Sequence, residues 1–248
     1  MRNILSCENR EVLVQFAFSN VLIAFDYDGT LAPIVADPAR AWMRPRTRRL
    51  LAGLVRAYPC VVISGRAQGD TLARLDGIGL CGVIGNHGAE PRRLLDGFTH
   101  EVNRWRKLLE AELSDEQGVT IEDKAYSIAI HYRRSRHKKK AREAALRAAS
   151  GLGAVRILGG KQVVNVLPAN TPHKGDALER ERERLGCDTA IYVGDDDTDE
   201  DVFRLDQPGR LLTIRVGARR TSHAAYCIRD QHQIDALIGA LCALRASR

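Results

Sequence analysis

Short apolar runs alternate with amphipathic stretches along most of the chain. Val21-Leu22-Ile23-Ala24-Phe25 is an unbroken apolar run that stops at Asp26, the pattern of a strand buried on both faces of a parallel sheet. Val61-Val62-Ile63, Thr189-Ala190-Ile191-Tyr192-Val193 and Leu211-Leu212-Thr213-Ile214-Arg215-Val216 share that character, and Cys81-Gly82-Val83-Ile84 is a weaker run. Helical periodicity fills the intervals at 46–57, 67–75, 174–185 and 198–205, and again at 231–245. Strands alternating with helices predict an α/β fold built on a Rossmann-like, doubly wound parallel sheet. The first 18 residues carry no clear signal.

Between residues 91 and 170 the pattern changes. A helical stretch from Glu101 to Leu113 precedes the alternating run Tyr126-Ser127-Ile128-Ala129-Ile130-His131-Tyr132, and a basic helix follows. Val155-Arg156-Ile157-Leu158 and Val163-Val164-Asn165-Val166-Leu167 then flank Gly159-Gly160-Lys161, a hairpin signal. The expectation is a catalytic core at 1–90 and 171–248, with an α+β cap inserted at 91–170.

Composition narrows the setting. The six cysteines show no C-x-x-C spacing, and several sit in apolar runs, so they are expected to be buried free thiols of a reducing compartment. No segment approaches the roughly 18 apolar residues of a membrane span. A cytoplasmic monomer is expected. Net charge is +7, and seven of the ten positions 133–142 are Lys or Arg, so an anionic partner fits. Ala141, Ala144, Ala145, Leu146 and Ala148 supply an apolar side to that stretch, and no aromatic residue interleaves with its charges. A solvated helix face is therefore expected, with no nucleic-acid partner.

Asp26, Ser64, Asn86 and Asp195 each stand just past the carboxyl end of an expected strand, the edge where open α/β sheets bind ligands. In Asp26-Tyr27-Asp28-Gly29-Thr30 two carboxylates two residues apart could hold a hard cation, or one could attack while the other moves a proton; an Asp-Gly turn is the plain alternative. Positions 195–201 carry six acidic residues in seven. Helix capping accounts for one or two of these, and the mutual repulsion of the rest calls for a cation, with oxygen ligands pointing to Mg²⁺. Ser64-Gly65-Arg66 can face a phosphate with a hydroxyl and backbone N–H groups, or can be a simple turn. Lys174 opens a helix, where the dipole disfavours a cation, and this suggests a task such as holding phosphate or orienting Asp26.

In this order the four segments resemble those of the haloacid-dehalogenase-like superfamily of phosphohydrolases, over the full chain. The resemblance implies Asp26 as nucleophile, Asp28 as general acid and base, and Ser64 and Lys174 as phosphate ligands. It implies a Mg²⁺ ligand set of Asp26, Asp28 through its backbone carbonyl, and Asp195, supported by Asp196 and Asp199. Within the superfamily the chain looks most like the trehalose-6-phosphate phosphatases, through Asp26 to Pro33, Gly85-Asn86-His87-Gly88-Ala89-Glu90, Glu122-Asp123-Lys124, His131-Tyr132-Arg133 and Gly194 to Phe203. That likeness implies trehalose 6-phosphate as substrate, with Tyr27, Gly65, Arg66, Asn86, His87, His131 and Arg133 expected among the contacts; satisfied structural histidines are the plain alternative for His87 and His131. Glu122 and Lys124 match two residues with which the family grips sugar hydroxyls; a surface ion pair is their plain alternative. Asn165 stands where the family has a second Glu. Sucrose phosphate or a glycosyl-phosphoglycerate are alternative substrates. A non-catalytic sugar-phosphate sensor is a further alternative, against which the intact Asp26, Asp28, Lys174 and Asp195 argue.

Overall fold

The computed structural model describes residues 1–90, 96–160, 162–205 and 207–246, with the backbone alone at 96–99. It divides into two compact units, Met1–Gly88 with His173–Arg248, and Ala89–Pro172.

The first unit contains β1 (Arg2–Asn3), α1 (Arg10–Phe18), β2 (Val21–Phe25), α2 (Pro45–Leu54), β3 (Cys60–Ile63), α3 (Gln68–Leu75) and β4 (Gly82–Ile84). After the second unit's segment it continues with α6 (Lys174–Arg184), β9 (Thr189–Gly194), α7 (Glu200–Phe203), β10 (Leu211–Val216), β11 (Tyr226–Ile228) and α8 (Ile234–Ala246). The seven strands are all parallel, in the order β1-β11-β10-β9-β2-β3-β4. Strands β2, β3, β9 and β10 are apolar throughout because both faces are covered: Val21, Ile23 and Phe25 join the core under α1, α2 and α8, while Leu22 and Ala24 join the one under α6 and α7. The chain reverses direction across the sheet between β2 and β9, which pair from Val21↔Thr189 to Phe25↔Val193. Such a switch point opens a crevice beyond the strand ends, and Asp26 and Asp195 lie just past those ends.

The second unit contains α4 (Asp96–Glu112), β5 (Thr120–Asp123), β6 (Ile128–His131), α5 (Lys138–Ser150), β7 (Val155–Gly160) and β8 (Val163–Pro168). Its antiparallel sheet runs β5-β6-β8-β7 and packs Ile128, Ile130, Val164 and Val166 against Val102, Trp105 and Leu109 of α4 and the alanines of α5. The lysines of α5 are exposed while Ala141, Ala144, Ala145 and Ala148 are buried. Lys161 of the hairpin signal and Pro91, at the start of the expected cap, lie outside the described residues.

Several expectations need correcting. The first 18 residues are not featureless: β1 adds an edge strand beside β11, and α1 packs on the sheet. The helix expected at 198–205 shrinks to Glu200–Phe203 behind a 3-10 turn at Asp197–Asp199, because the Asp199 carboxylate folds back onto the N–H groups of Asp195 and Asp196. The thiols of Cys60, Cys187 and Cys227 are buried, but Cys7 and Cys81 are exposed, lying outside the apolar layers; all six are free. Among the described residues no helix is long and apolar enough to cross a membrane.

Ile191 is fully buried on a central strand. Ile191→Ala is expected to cost about 2–5 kcal/mol, read as a lower urea midpoint with an unchanged m-value.

Candidate active site

The site begins where β2 ends. The Asp26 N–H donates to Val193 O at 2.8 Å, fastening that strand end to β9. The chain then turns sharply, with Gly29 N–H to Ala32 O at 2.7 Å and Ala32 N–H to Tyr27 O at 2.8 Å. Gly29 has φ +88°, and a Cβ there would fall 2.2 Å from Asp195 Oδ2, so only glycine lets the two acidic loops meet.

Lys174 enters from the side as the first residue of α6. Its helix start is fixed by a reciprocal capping box: the Asp176 N–H donates to His173 Nδ1 at 3.1 Å and the His173 N–H to Asp176 Oδ2 at 2.9 Å. The ammonium, 1% exposed, donates to Asp26 Oδ1 and Asp199 Oδ1, both at 2.7 Å. A buried charge is tolerated only when paired and hydrogen-bonded, and these two carboxylates meet that need.

Asp199 is an organiser. Its Oδ1 accepts from Lys174 and from the buried Tyr192 hydroxyl at 2.7 Å, and its Oδ2 accepts from the N–H groups of Asp195 and Asp196 at 2.8 Å each. Four donors on two oxygens use a carboxylate's lone-pair sites. Gly194 is required beneath it, since a Cβ would lie 2.3 Å from Asp199 Cγ.

Asp26, Asp195 and Asp199 offer oxygens within 4.8 Å of one another, all buried. Three carboxylates face one ammonium, so the cluster carries an excess of negative charge that a hard divalent cation would offset. The all-oxygen donor set fits Mg²⁺. With Asp199 saturated, Asp26 and Asp195 are the two that could hold such a cation. Without a cation, burial pushes the Asp26 carboxyl well up; Lys174 pulls it down, and the Asp199 and Asp195 carboxylates push it up further. Burial disfavours the Lys174 charge, but Asp199 and Asp26 outweigh it and raise that ammonium's pKa.

The remaining acids of 195–201 do not all need a cation, contrary to expectation. Asp196 caps the 3-10 turn, Asp197 pairs with Arg219, and the buried Glu200 meets Arg215 at 3.1 Å. Arg215, from within β10, also donates to Asp195 O at 2.5 Å and Asp196 O at 3.2 Å, so one guanidinium anchors the acidic loop. Arg215 and Tyr192 join the site although no motif names them. Each is a polar group inside an otherwise apolar strand, which is the signal that could have exposed them.

The other expected residues of the first unit divide into two groups. Ser64 is buried, and its Oγ accepts the Arg66 N–H at 3.1 Å. Asn86 and His87 adopt left-handed φ values of 46° and 58°, and their N–H groups donate to Arg66 O at 2.7 Å and Ser64 O at 2.9 Å, so the turns after β3 and β4 clasp each other. The His87 ring lies against Gly65. Two side chains behave differently from expectation. Tyr27 is wholly buried, its hydroxyl donating to Ala41 O at 3.2 Å, so it offers the site only backbone. The Asp28 carboxylate stands apart from the acidic cluster, in a bidentate pair with Arg66 at 2.5 and 2.7 Å.

In the second unit, register puts Glu122, Ala129 and Asn165 in one cross-strand row, so Glu122 and Asn165 share a face about 10 Å apart. Lys124 follows β5 in a turn closed by its N–H to Ser127 O at 3.0 Å. Glu122 Oε2 meets His131 Nε2 at 2.7 Å. Arg133 is half-buried just beyond β6, and Asn165 is buried.

A family model described as trehalose-phosphatase matches residues 24–224. The trehalose-phosphate phosphatase of Mycobacterium tuberculosis is 32% identical over 212 residues, covering 78% of this chain and 53% of that protein. A probable trehalose-phosphate phosphatase D of Arabidopsis thaliana is 28% identical over 240 residues, covering 86% and 65% respectively. The chain thus spans about half to two thirds of the length of these relatives. The C-terminal domain of a Candida albicans trehalose-6-phosphate phosphatase superposes with a TM-score of 0.83 at 24% identity, over 95% of this chain and 98% of that one, a likeness of fold.

Ligation requires an ionised Asp26, whose carboxyl is raised in the metal-free site, so Mg²⁺ affinity should rise with pH through that pKa and fall below it. Without metal the sign reverses: the native state holds the Asp26 proton to higher pH than the unfolded chain does, so this group's contribution to stability is lost as pH rises through the folded pKa. Titration calorimetry in two buffers should show proton release on Mg²⁺ binding, and Mg²⁺ should raise Tm in the wild type but not in Asp195→Asn. A Tm indifferent to Mg²⁺ would overturn the assignment.

Proposed function

This chain belongs to the trehalose-phosphatase family, and we propose that it hydrolyses trehalose 6-phosphate to trehalose and phosphate, with Mg²⁺ as cofactor and Asp26 as the attacking group. The observation that carries this reading is the buried Asp26 carboxylate, held at 2.7 Å by Lys174 at the sheet's switch point.

A phosphate monoester dianion repels a carboxylate, so the attack needs positive charge already in place. Lys174 brings one such charge to the nucleophile, and its two carboxylate contacts keep it from moving when substrate arrives. A Mg²⁺ held by Asp26 and Asp195 would add charge neutralisation on the phosphate. Asp26 attacks phosphorus, the bond from phosphorus to the sugar oxygen breaks, and Asp28 gives that oxygen its proton. Asp28 then takes a proton from the water that attacks the aspartyl phosphate, which frees phosphate and restores Asp26. The Ser64 hydroxyl is suited to donate to a phosphate oxygen, because its own Oγ is oriented by the Arg66 N–H. Glu122, Lys124 and Asn165 are assigned to the sugar hydroxyls, with the Glu122 carboxylate steadied by His131. Six free thiols support a reducing compartment, the cytoplasm.

Asp26→Asn is expected to abolish phosphate release from trehalose 6-phosphate while leaving the fold intact by circular dichroism. Near-normal turnover in that variant would remove Asp26 as nucleophile. A panel including sucrose phosphate and glucosyl-phosphoglycerate tests the substrate; activity elsewhere with none on trehalose 6-phosphate would refute the disaccharide. Asn165→Glu should tighten a charge-assisted hydroxyl contact by about 1 kcal/mol, seen as a roughly fivefold lower KM with little change in kcat.

A further inference from the structure

Arg66 follows Ser64 and Gly65 in a turn that reads as phosphate-facing, yet its guanidinium is occupied by the protein itself. Nε donates to Asp28 Oδ2 at 2.5 Å and Nη2 to Asp28 Oδ1 at 2.7 Å, so both oxygens of that carboxylate are gripped. Nη2 also donates to Pro38 O at 2.8 Å, and Nη1 to Asp70 Oδ2 at 2.7 Å. Asp70, one turn along α3, is held in turn by Arg74 Nε at 3.1 and 3.2 Å. Arg74 is itself buried, donates to Ala41 O at 2.9 Å and lies over the Trp42 ring at 4.9 Å. Burial would raise the Asp70 carboxyl, but Arg74 and Arg66 outweigh it and hold it below the usual range. With Asp28 ionised, as it must be to take the proton from water, Arg74, Asp70, Arg66 and Asp28 alternate in charge and sum to zero, anchored at the far end by an aromatic face and a backbone carbonyl.

We propose that Arg66, braced by Asp70 and Arg74, is a positioning residue that orients the Asp28 carboxylate, and is not a ligand of the substrate phosphate. A bidentate guanidinium fixes the plane of a carboxylate as well as its place, and a group that moves a proton must be aligned within hydrogen-bond reach of the oxygen it serves. The Asp28 side chain stays 36% exposed, so it is fixed in plane yet open to an incoming ester. The charge on Arg66 is already matched by two carboxylates, whereas Lys174 sits on the nucleophile. The inference rests on the phosphatase reading, since it assigns Asp28 the proton transfers.

The test uses the full chain with Mg²⁺ and two esters: trehalose 6-phosphate, whose sugar oxygen needs a proton to leave, and p-nitrophenyl phosphate, whose leaving group does not. Arg66→Lys and Asp70→Asn are compared with Asp28→Asn as reference, with Tm measured for each. Asp70→Asn is the milder change, at a half-exposed, isosteric position, in case Arg66→Lys disturbs the turn. Expected are a fall in kcat on trehalose 6-phosphate of about 10- to 100-fold with KM within about twofold, an inhibition constant for inorganic phosphate within about twofold, and a single-turnover p-nitrophenolate burst of near wild-type rate. A tenfold weaker inhibition by phosphate, or KM raised equally for both esters with kcat kept, would make Arg66 a phosphate ligand and overturn the inference. Unchanged kcat in both variants would overturn it as well. A wild-type protein inactive on every ester would defeat the phosphatase reading itself, and the inference with it.

Discussion

The Lys174 ammonium, out of water between Asp26 and Asp199, is the contact around which the first unit's functional edge is organised. The ammonium could not be buried charged without such partners, and it offsets part of the charge that Asp26 and Asp199 bring into the layer between the strands and α6. Its position depends on features scattered through the chain: the capping box that starts α6, the pairing of β2 with β9, and a glycine at 194 that leaves room for the Asp199 carboxylate. Because the ammonium answers only part of the carboxylate charge gathered there, the same arrangement leaves an excess that suits a divalent cation.

Compensation of charge explains the acidic loop more fully than the count of its acids. Six acidic side chains in seven positions would be intolerable on one surface, and the fold sends them different ways: into the cluster, onto backbone N–H groups, to Arg219, and to the buried Arg215. Arg215 is notable because a single guanidinium reaches both the Glu200 carboxylate and the carbonyls of Asp195 and Asp196. These contacts orient the loop's polar groups from within the protein, and preorganised polarity of this kind is suited to stabilising charge.

The parallel core was legible because its signal is local. A strand buried on both faces is a run of apolar residues, and the polar residue ending it marks the binding edge. Short or edge elements left no such trace: β1 and β11 are two and three residues long, and β5 carries Thr120, Glu122 and Asp123 on an edge. The expected helix at 198–205 misled for a related reason. Capping residues read as the start of a helix, but the Asp199 side chain competes for the same N–H groups and holds the first turn in 3-10 form.

Of the candidate site, the sequence alone determined which groups stand at the strand ends, since strand direction and length place Asp26, Ser64, Asn86 and Asp195 on one edge of the sheet. It also carried the family likeness and the departure at Asn165. What each group touches was decided by the tertiary structure. Asp28 and Arg66 are 38 positions apart, Lys174 and Asp26 are 148 apart, and Arg215 meets Asp195 from a neighbouring strand. Side-chain pairings over such distances follow from how layers pack and which charges must be matched once water is excluded, and neither is written in local spacing.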